Sequence, residues 1–311
     1  MQRTTVGIIF VLLTTLVVSA CSKQGLYESA IGWERSSAGL ETAQLAVGDL
    51  DIAYLRSKEA VDGDTVVLVH GFGANKDNWT RFARELKGEF NIYAFDLPGH
   101  GDSSKPLDIG YRFEDQVRYL NQIFAELGIT RAHMMGNSMG GAITALYAAT
   151  HPDQIRSVVL FDPAGIFEYE SELVDLVLDG ENPLIPKQKG DFDRLLDFAL
   201  EKRPFVPWPI FEVMEQNAIA NREVNEAIFA AIRDTGFEPE FRNTITNIEA
   251  PVLVVWGKLD RVINYRNADV FVETIPNARK VILDDVGHAP MVEAPTESAR
   301  LFREFLGNDP L

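Results

Sequence analysis

Residues Gly136 to Gly140 read Gly-Asn-Ser-Met-Gly, which sets Ser138 between two glycines. A serine hydroxyl is a weak nucleophile until its surroundings activate it. An apolar run, "HMM", precedes this stretch, and the helix-forming run "MGGAITALYAAT" overlaps and follows it. A sharp turn from strand to helix needs small neighbours so that chain and helix can approach closely. Such a turn pushes the hydroxyl beyond the sheet edge and sets it at a helix N-terminus. Developing negative charge is favoured there. The bland alternative is a turn serine that caps the helix. The strand before and the helix after favour the nucleophile.

A serine nucleophile needs a base. The chain offers His70, His100, His133, His151 and His288. In a strand-turn-helix site of this type the chain order is nucleophile, acid, histidine. Only His288, in "DDVGHAPMVEAP", leaves room for an acid between itself and Ser138. That acid is expected at the C-terminal end of a strand. Asp260 follows the aliphatic run "PVLVVWG" and would orient the imidazole and stabilise its protonated form. Asp162, in "VVLFDPAG", is the alternative, with the fixing of an Asp-Pro turn as its other role. Acyl transfer also builds an oxyanion, which two backbone N–H groups must meet. Met139 would supply one. Phe72, in "VHGFGANKDNW", would supply the other, with His70 and His100 serving as scaffold.

These residues need a frame that brings them together. "AQLAVGD" and "LDIAYLRS" read as two alternating strands joined at a Gly-Asp turn. "TVVLVHG" is a continuous aliphatic run, as in a strand buried on both faces. Further strands are expected at "NIYAF", "RAHMMGNS", "IRSVVLFD", "PVLVVWG" and "ARKVILDD". Apolar residues at helical spacing mark helices at 75–87, 111–128, 139–150, 265–275 and 293–306. Alternating strands and helices predict an α/β fold with a mostly parallel eight-stranded sheet covered on both faces. Residues 166–240 break the rhythm and contain no good strand. They read as a helical cap over the sheet edge where ligands bind, with 43–165 and 241–311 forming the core. Leu184, Ile185, Phe205, Trp208 and Phe211 of the cap, with Met291, Phe72 and Met139, are candidates to line an apolar substrate pocket.

The chain resembles the α/β-hydrolase superfamily over about residues 43–307. Within it, "HGFGANKDNW", "GNSMGG", "DPAGIF" and "PLIP" are similar to the monoacylglycerol lipase branch, which includes bacterial lipase-like lipoproteins and phospholipases. The resemblance implies hydrolysis of acyl-lipid esters by Ser138, Asp260 and His288, without cofactor or metal. Haloalkane dehalogenases and epoxide hydrolases carry aspartate at the nucleophile position, and Ser138 speaks against both. Carbon–carbon bond hydrolases share "GNSMGG" and the triad, but their oxyanion loop differs from "FGANKD". They are the alternative enzyme class. A non-catalytic binder of apolar ligands is the alternative outside enzymes.

Composition bounds the partners. The 311 residues carry a formal net charge of −17, which repels nucleic acid phosphates. One cysteine, Cys21, forbids an internal disulfide. Arg3 is followed by an uncharged, mostly aliphatic run from Val6 to Ala20. Those residues would span about 22 Å as a helix, short of a roughly 30 Å hydrocarbon core. A signal peptide fits this length better than an uncleaved anchor. "VSAC" resembles the bacterial lipoprotein signal, in which the cysteine is acylated and becomes the mature N-terminus. The expectation is removal of residues 1–20, acylation of Cys21 and a tether over 21–42. Ser22 after the cysteine implies the outer membrane rather than the inner one.

Overall fold

The computed structural model describes residues 22–233 and 239–307. The expected signal segment and Cys21 lie outside the described residues. A first helix, α1 (Lys23–Ser37), precedes two antiparallel strands, β1 (Leu40–Val47) and β2 (Leu50–Ser57). β3 (Thr65–Val69), α2 (Thr80–Glu85), β4 (Asn91–Phe95) and α3 (Phe113–Leu127) follow. Next come β5 (Ala132–Asn137), α4 (Met139–Thr150) and β6 (Ile155–Phe161). The cap holds α5 (Glu172–Leu178), α6 (Asp191–Ala199), α7 (Trp208–Ala220) and α8 (Arg222–Arg233). The chain closes with α9 (Pro239–Ile245), β7 (Val252–Gly257), α10 (Asn267–Thr274), β8 (Ala278–Leu283), α11 (Pro290–Glu293) and α12 (Pro295–Leu306).

The eight strands form one sheet in the order β1-β2-β4-β3-β5-β6-β7-β8. Pairing is antiparallel for β1, β2 and β4, and parallel from β4 to β8. The continuous aliphatic runs are explained by the layers. Side chains alternate between faces along a strand. Val67, Val69, Met134, Val158, Leu160, Val252 and Val254 enter one apolar core, with helices α3 and α4. Val66, Leu68, Ile92, Met135, Val159, Leu253 and Val255 enter the other, with α2 and α12. Both faces are covered, so the middle of these strands is aliphatic, and the few buried polar residues, such as His133, Ser157 and Asn137, lie toward strand ends and have hydrogen-bond partners.

Of the expected tether, residues 22–42 are described. Most of them form α1, capped by the Ser22 hydroxyl on Gly25 N–H at 2.9 Å, and Leu40–Val47 already belongs to the sheet. No residue of α1 is buried. Ion pairs and the half-buried side chains of Tyr27, Ala30 and Ile31 hold it to the body. Arg35 donates twice to Asp77, at 2.7 Å each, and Lys23 meets Glu212 at 2.6 Å. The helical pattern here is blurred by polar residues, so the sequence does not announce it.

Candidate active site

The parallel strands end at one edge of the sheet, and the candidate residues gather there. Ser138 sits between β5 and α4 at φ 54° and ψ −120°. A non-glycine residue at positive φ is strained, and its neighbours must hold it there. They do so by backbone bonds: Ser138 N–H donates to Phe161 at 3.0 Å, and its carbonyl accepts from Ala142 at 3.1 Å and Ala164 at 3.0 Å. Gly136 and Gly140 explain the flanking glycines. A Cβ on Gly136 would strike the Gly140 carbonyl, and one on Gly140 would strike the carbonyls of Val69 and His70. The Ser138 side chain makes no capping hydrogen bond to α4, which removes the capping alternative.

His288 lies in the loop between β8 and α11. Its Nδ1 meets Asp260 Oδ2 at 2.8 Å. Asp260 is fixed on all sides: Oδ1 accepts from Val262 and Ile263 N–H at 2.8 and 3.0 Å, and Oδ2 also accepts from Trp256 Nε1 at 3.1 Å. The histidine loop is tied to the serine turn through Asn137, whose Nδ2 donates to the His288 carbonyl at 2.9 Å. On the cap side, His288 N–H donates to the Ala199 carbonyl at 2.8 Å. Gly257 lets this loop approach β7, since a Cβ there would strike the carbonyls of Gly287 and Val286.

Two residues that sequence reasoning passed over support this loop. Asn137 is the tie just described, visible in sequence only as the variable letter beside the serine. Glu293 accepts backbone N–H bonds from Gly287, Ala289, Glu201 and Lys202 at 2.8–3.1 Å. Burial pushes its carboxyl up, against those four donors. It thereby joins the histidine loop to the end of cap helix α6. No spacing rule marks such a hub, because its partners are backbone groups.

Asp162 follows β6 at φ 45° and is fully buried. Its Oδ1 accepts from Gly257 N–H at 2.9 Å, while the buried Oδ2 makes no hydrogen bond. Burial, and then the nearby Asp260 charge, push its carboxyl well above the usual range. The other histidines have structural partners. His70 accepts from Leu97 N–H at 3.1 Å, and His100 packs on His70 with ring centres 4.8 Å apart. Burial pushes them down to about 4 and about 3, so both rings are neutral.

An apolar cavity of about 280 Å³ opens above the serine. That is near the lower end of small-ligand pockets. Ser138, Met139 and Phe72 form its floor, with Leu184, Leu173 and Val177 from the cap, Phe229 and Ile232 from α8, and Val262 and Ile263 beside Asp260. Phe229 packs on Phe72 with ring centres 5.6 Å apart. Ser138 and Arg233 are the only polar side chains in this lining among the described residues. Five expected lining residues lie elsewhere. Ile185 and Met291 are buried in packing outside the cavity, Met291 within the core on the far side of the sheet. Phe211 packs on Phe192. Phe205 and Trp208 stand in solvent, 87% and 67% exposed. Apolar character in the cap did not separate cavity wall from outer surface, because the cap exposes both.

The site can perform nucleophilic acyl chemistry. The Met139 N–H belongs to the first turn of α4, where no intrahelical acceptor exists, and Gly71 packs the Phe72 loop against Ser138. A metal reading is poorly supported by the donor set. Asp162, Asp260 and His288 bring three ligand-type atoms within 4.8 Å of one another. However, Asp260 Oδ2 and His288 Nδ1 are already committed to each other.

Comparison with known proteins agrees with this geometry. The alpha/beta hydrolase fold family matches residues 64–183. The chain is 37% identical to Lipase 3 of Moraxella sp. (strain TA144), covering 89% of this chain and 88% of that protein. It is 29% identical to a monoacylglycerol lipase of Xenopus laevis, covering 89% and 85%. The crystal structure of a membrane phospholipase A, described as a bacterial virulence factor, superposes with a TM-score of 0.90 at 38% identity, covering 99% of both chains. The chain therefore belongs to the α/β-hydrolase family and is a carboxylic ester hydrolase.

Proposed function

We propose that the protein is a serine lipase or esterase that cleaves acyl-lipid esters at a bacterial membrane. The observation that carries this reading is the strained, uncapped Ser138 opening onto an apolar cavity beside the His288–Asp260 pair. His288 takes the hydroxyl proton as Ser138 attacks the ester carbonyl. The oxyanion rests on the N–H groups of Phe72 and Met139. His288 then protonates the leaving alcohol. Water, activated by the same imidazole, releases the fatty acid from the acyl-enzyme. Asp260 holds the imidazole in the tautomer this requires. The predominantly apolar wall favours a hydrocarbon chain over the charged ring-fission products that carbon–carbon bond hydrolases of aromatic degradation cleave.

Anchoring follows from the same reading. Acylation of Cys21 would place the bilayer at the start of α1, beside exposed Leu26, Phe205 and Trp208. Lys23 lies over the Trp208 ring at 4.8 Å. Aromatic residues are favoured at membrane interfaces. Among the described residues, no helix is long and apolar enough to cross a membrane. The outer membrane is the expected location.

The test is a series of nitrophenyl esters of rising chain length, with monoacylglycerol and lysophospholipid beside them. Turnover of acyl esters and a fluorophosphonate adduct on Ser138 are expected. A faster rate on a ring-fission product, or labelling elsewhere, sinks the reading. Intact mass of membrane-extracted protein tests the anchor. It should show Cys21 as an acylated N-terminus, and an uncleaved, unmodified chain would refute it.

A further inference from the structure

Asp162 remains without a task in the mechanism. It and Asp260 end adjacent parallel strands, β6 and β7. A carboxyl oxygen from each and a ring nitrogen of His288 lie within 4.8 Å of one another. The Asp162 side chain is fully buried, and one of its oxygens has no partner. The titratable groups facing it are Asp260 and His288, with Glu293 contributing from α11. None is a permanent cation. Two carboxylates this close cannot both ionise without one. Asp260 accepts four N–H bonds, counting the imidazole, and is the better anion.

We propose that Asp162 is a reserve acid, holding a proton while Asp260 is charged and able to replace Asp260 against His288. In the resting site it limits the charge beside the imidazole to one. When Asp260 is neutralised by substitution, Asp162 releases its proton to solvent. Its carboxylate then stabilises the imidazolium formed as His288 takes the Ser138 proton. This rests on the triad of Ser138, Asp260 and His288.

The full-length protein is assayed with nitrophenyl butyrate as Asp162→Asn, Asp260→Asn and the double variant. Independent positions give fold-losses that multiply. Asp162→Asn should lower kcat by about threefold in the wild-type background and by about thirtyfold in Asp260→Asn. Equal factors in both backgrounds overturn the proposal. Should the double variant fail to fold, the pH profile of Asp260→Asn decides. A rising limb absent from the wild type supports the reserve acid, and an unchanged profile shape overturns it. Near-wild-type activity in Asp260→Asn with Asp162 also replaced would instead refute the triad itself.

Discussion

Two clusters of buried acids sit at the C-terminal ends of the strands, and they are balanced differently. Asp96, just after β4, accepts from Lys76 Nζ, Lys76 N–H and Asp102 N–H, all at 2.7 Å. Lys76 is itself buried and reaches Asp102 at 2.6 Å. Burial pushes its ammonium down, and Asp96, Asp77 and Asp102 more than reverse this. Asp162 and Asp260, after β6 and β7, accept from neutral N–H groups and meet one imidazole, but no permanent cation. A permanent cation gives the first cluster a fixed counter-charge, although burial still pushes the Asp96 carboxyl up. The second has no such counter-charge, and burial beside Asp260 pushes the Asp162 carboxyl well up. Buried acids without a fixed counter-charge are where perturbed titration accompanies chemistry. The first cluster braces the loop that carries Phe72, and the second holds the His288 imidazole.

The largest difference between the clusters should appear on removing the group each one serves. Ser138→Ala is expected to lower kcat by roughly 10⁶-fold, as triad nucleophiles do. Its unfolding midpoint should hardly move, because alanine keeps the Cβ that strains the backbone at φ 54°. Steady-state rates and urea unfolding on the same sample check both halves. Residual activity within tenfold of wild type would break the comparison at its functional end.

Lys76→Met probes the other end. It leaves Asp96 buried without a cation, and losing one partner of a buried pair costs about 3–5 kcal/mol. Urea denaturation reads this loss. The rate per folded molecule should change far less than in Ser138→Ala. A variant with full stability and lost activity would show that the first cluster belongs to catalysis too.

The proton on Asp162 gives a smaller effect with a definite sign. Its carboxyl is raised in the folded state, while the unfolded chain ionises near the ordinary value of 3.8. Above that value the native state binds the extra proton, so stability falls as pH rises. Asp162→Asn removes this slope. The difference in Tm, variant minus wild type, should therefore grow from pH 4 to pH 8. A pH-independent difference would mean that both acids are charged in the fold.

These clusters also explain what the sequence reveals. The sheet was legible because both its faces are dry, so strands such as Val66–Val69 are uninterrupted aliphatics. Ser138 and His288 were legible because the turn demands Gly136 and Gly140 and the chain order leaves one histidine. Asn137 and Glu293 were hidden because they bind backbone groups, which carry no sequence signal. The cap was half legible. Its helices show in the pattern, but Phe205 and Trp208 face solvent while Leu184 faces the cavity. Local apolarity does not state which side of a thin helical layer a residue takes.

Helix α1 supplies a third kind of acid, paired and partly exposed, that marks the weak limit of the comparison. Its Arg35 fork grips Asp77 with side chains 21% and 14% exposed, and Glu34 meets Arg81 at 3.5 Å. Solvent screens such pairs, and each contributes about 1 kcal/mol or less. No buried residue of α1 adds to them. Asp77→Asn should therefore lower global stability only slightly while opening α1 to proteolysis. High salt should do the same to the wild type, because the attraction is screened. Limited digestion in low and high salt measures this directly. Protection that ignored salt would mean that packing alone, rather than charge, holds α1, and the rank order of the three acid sites would change.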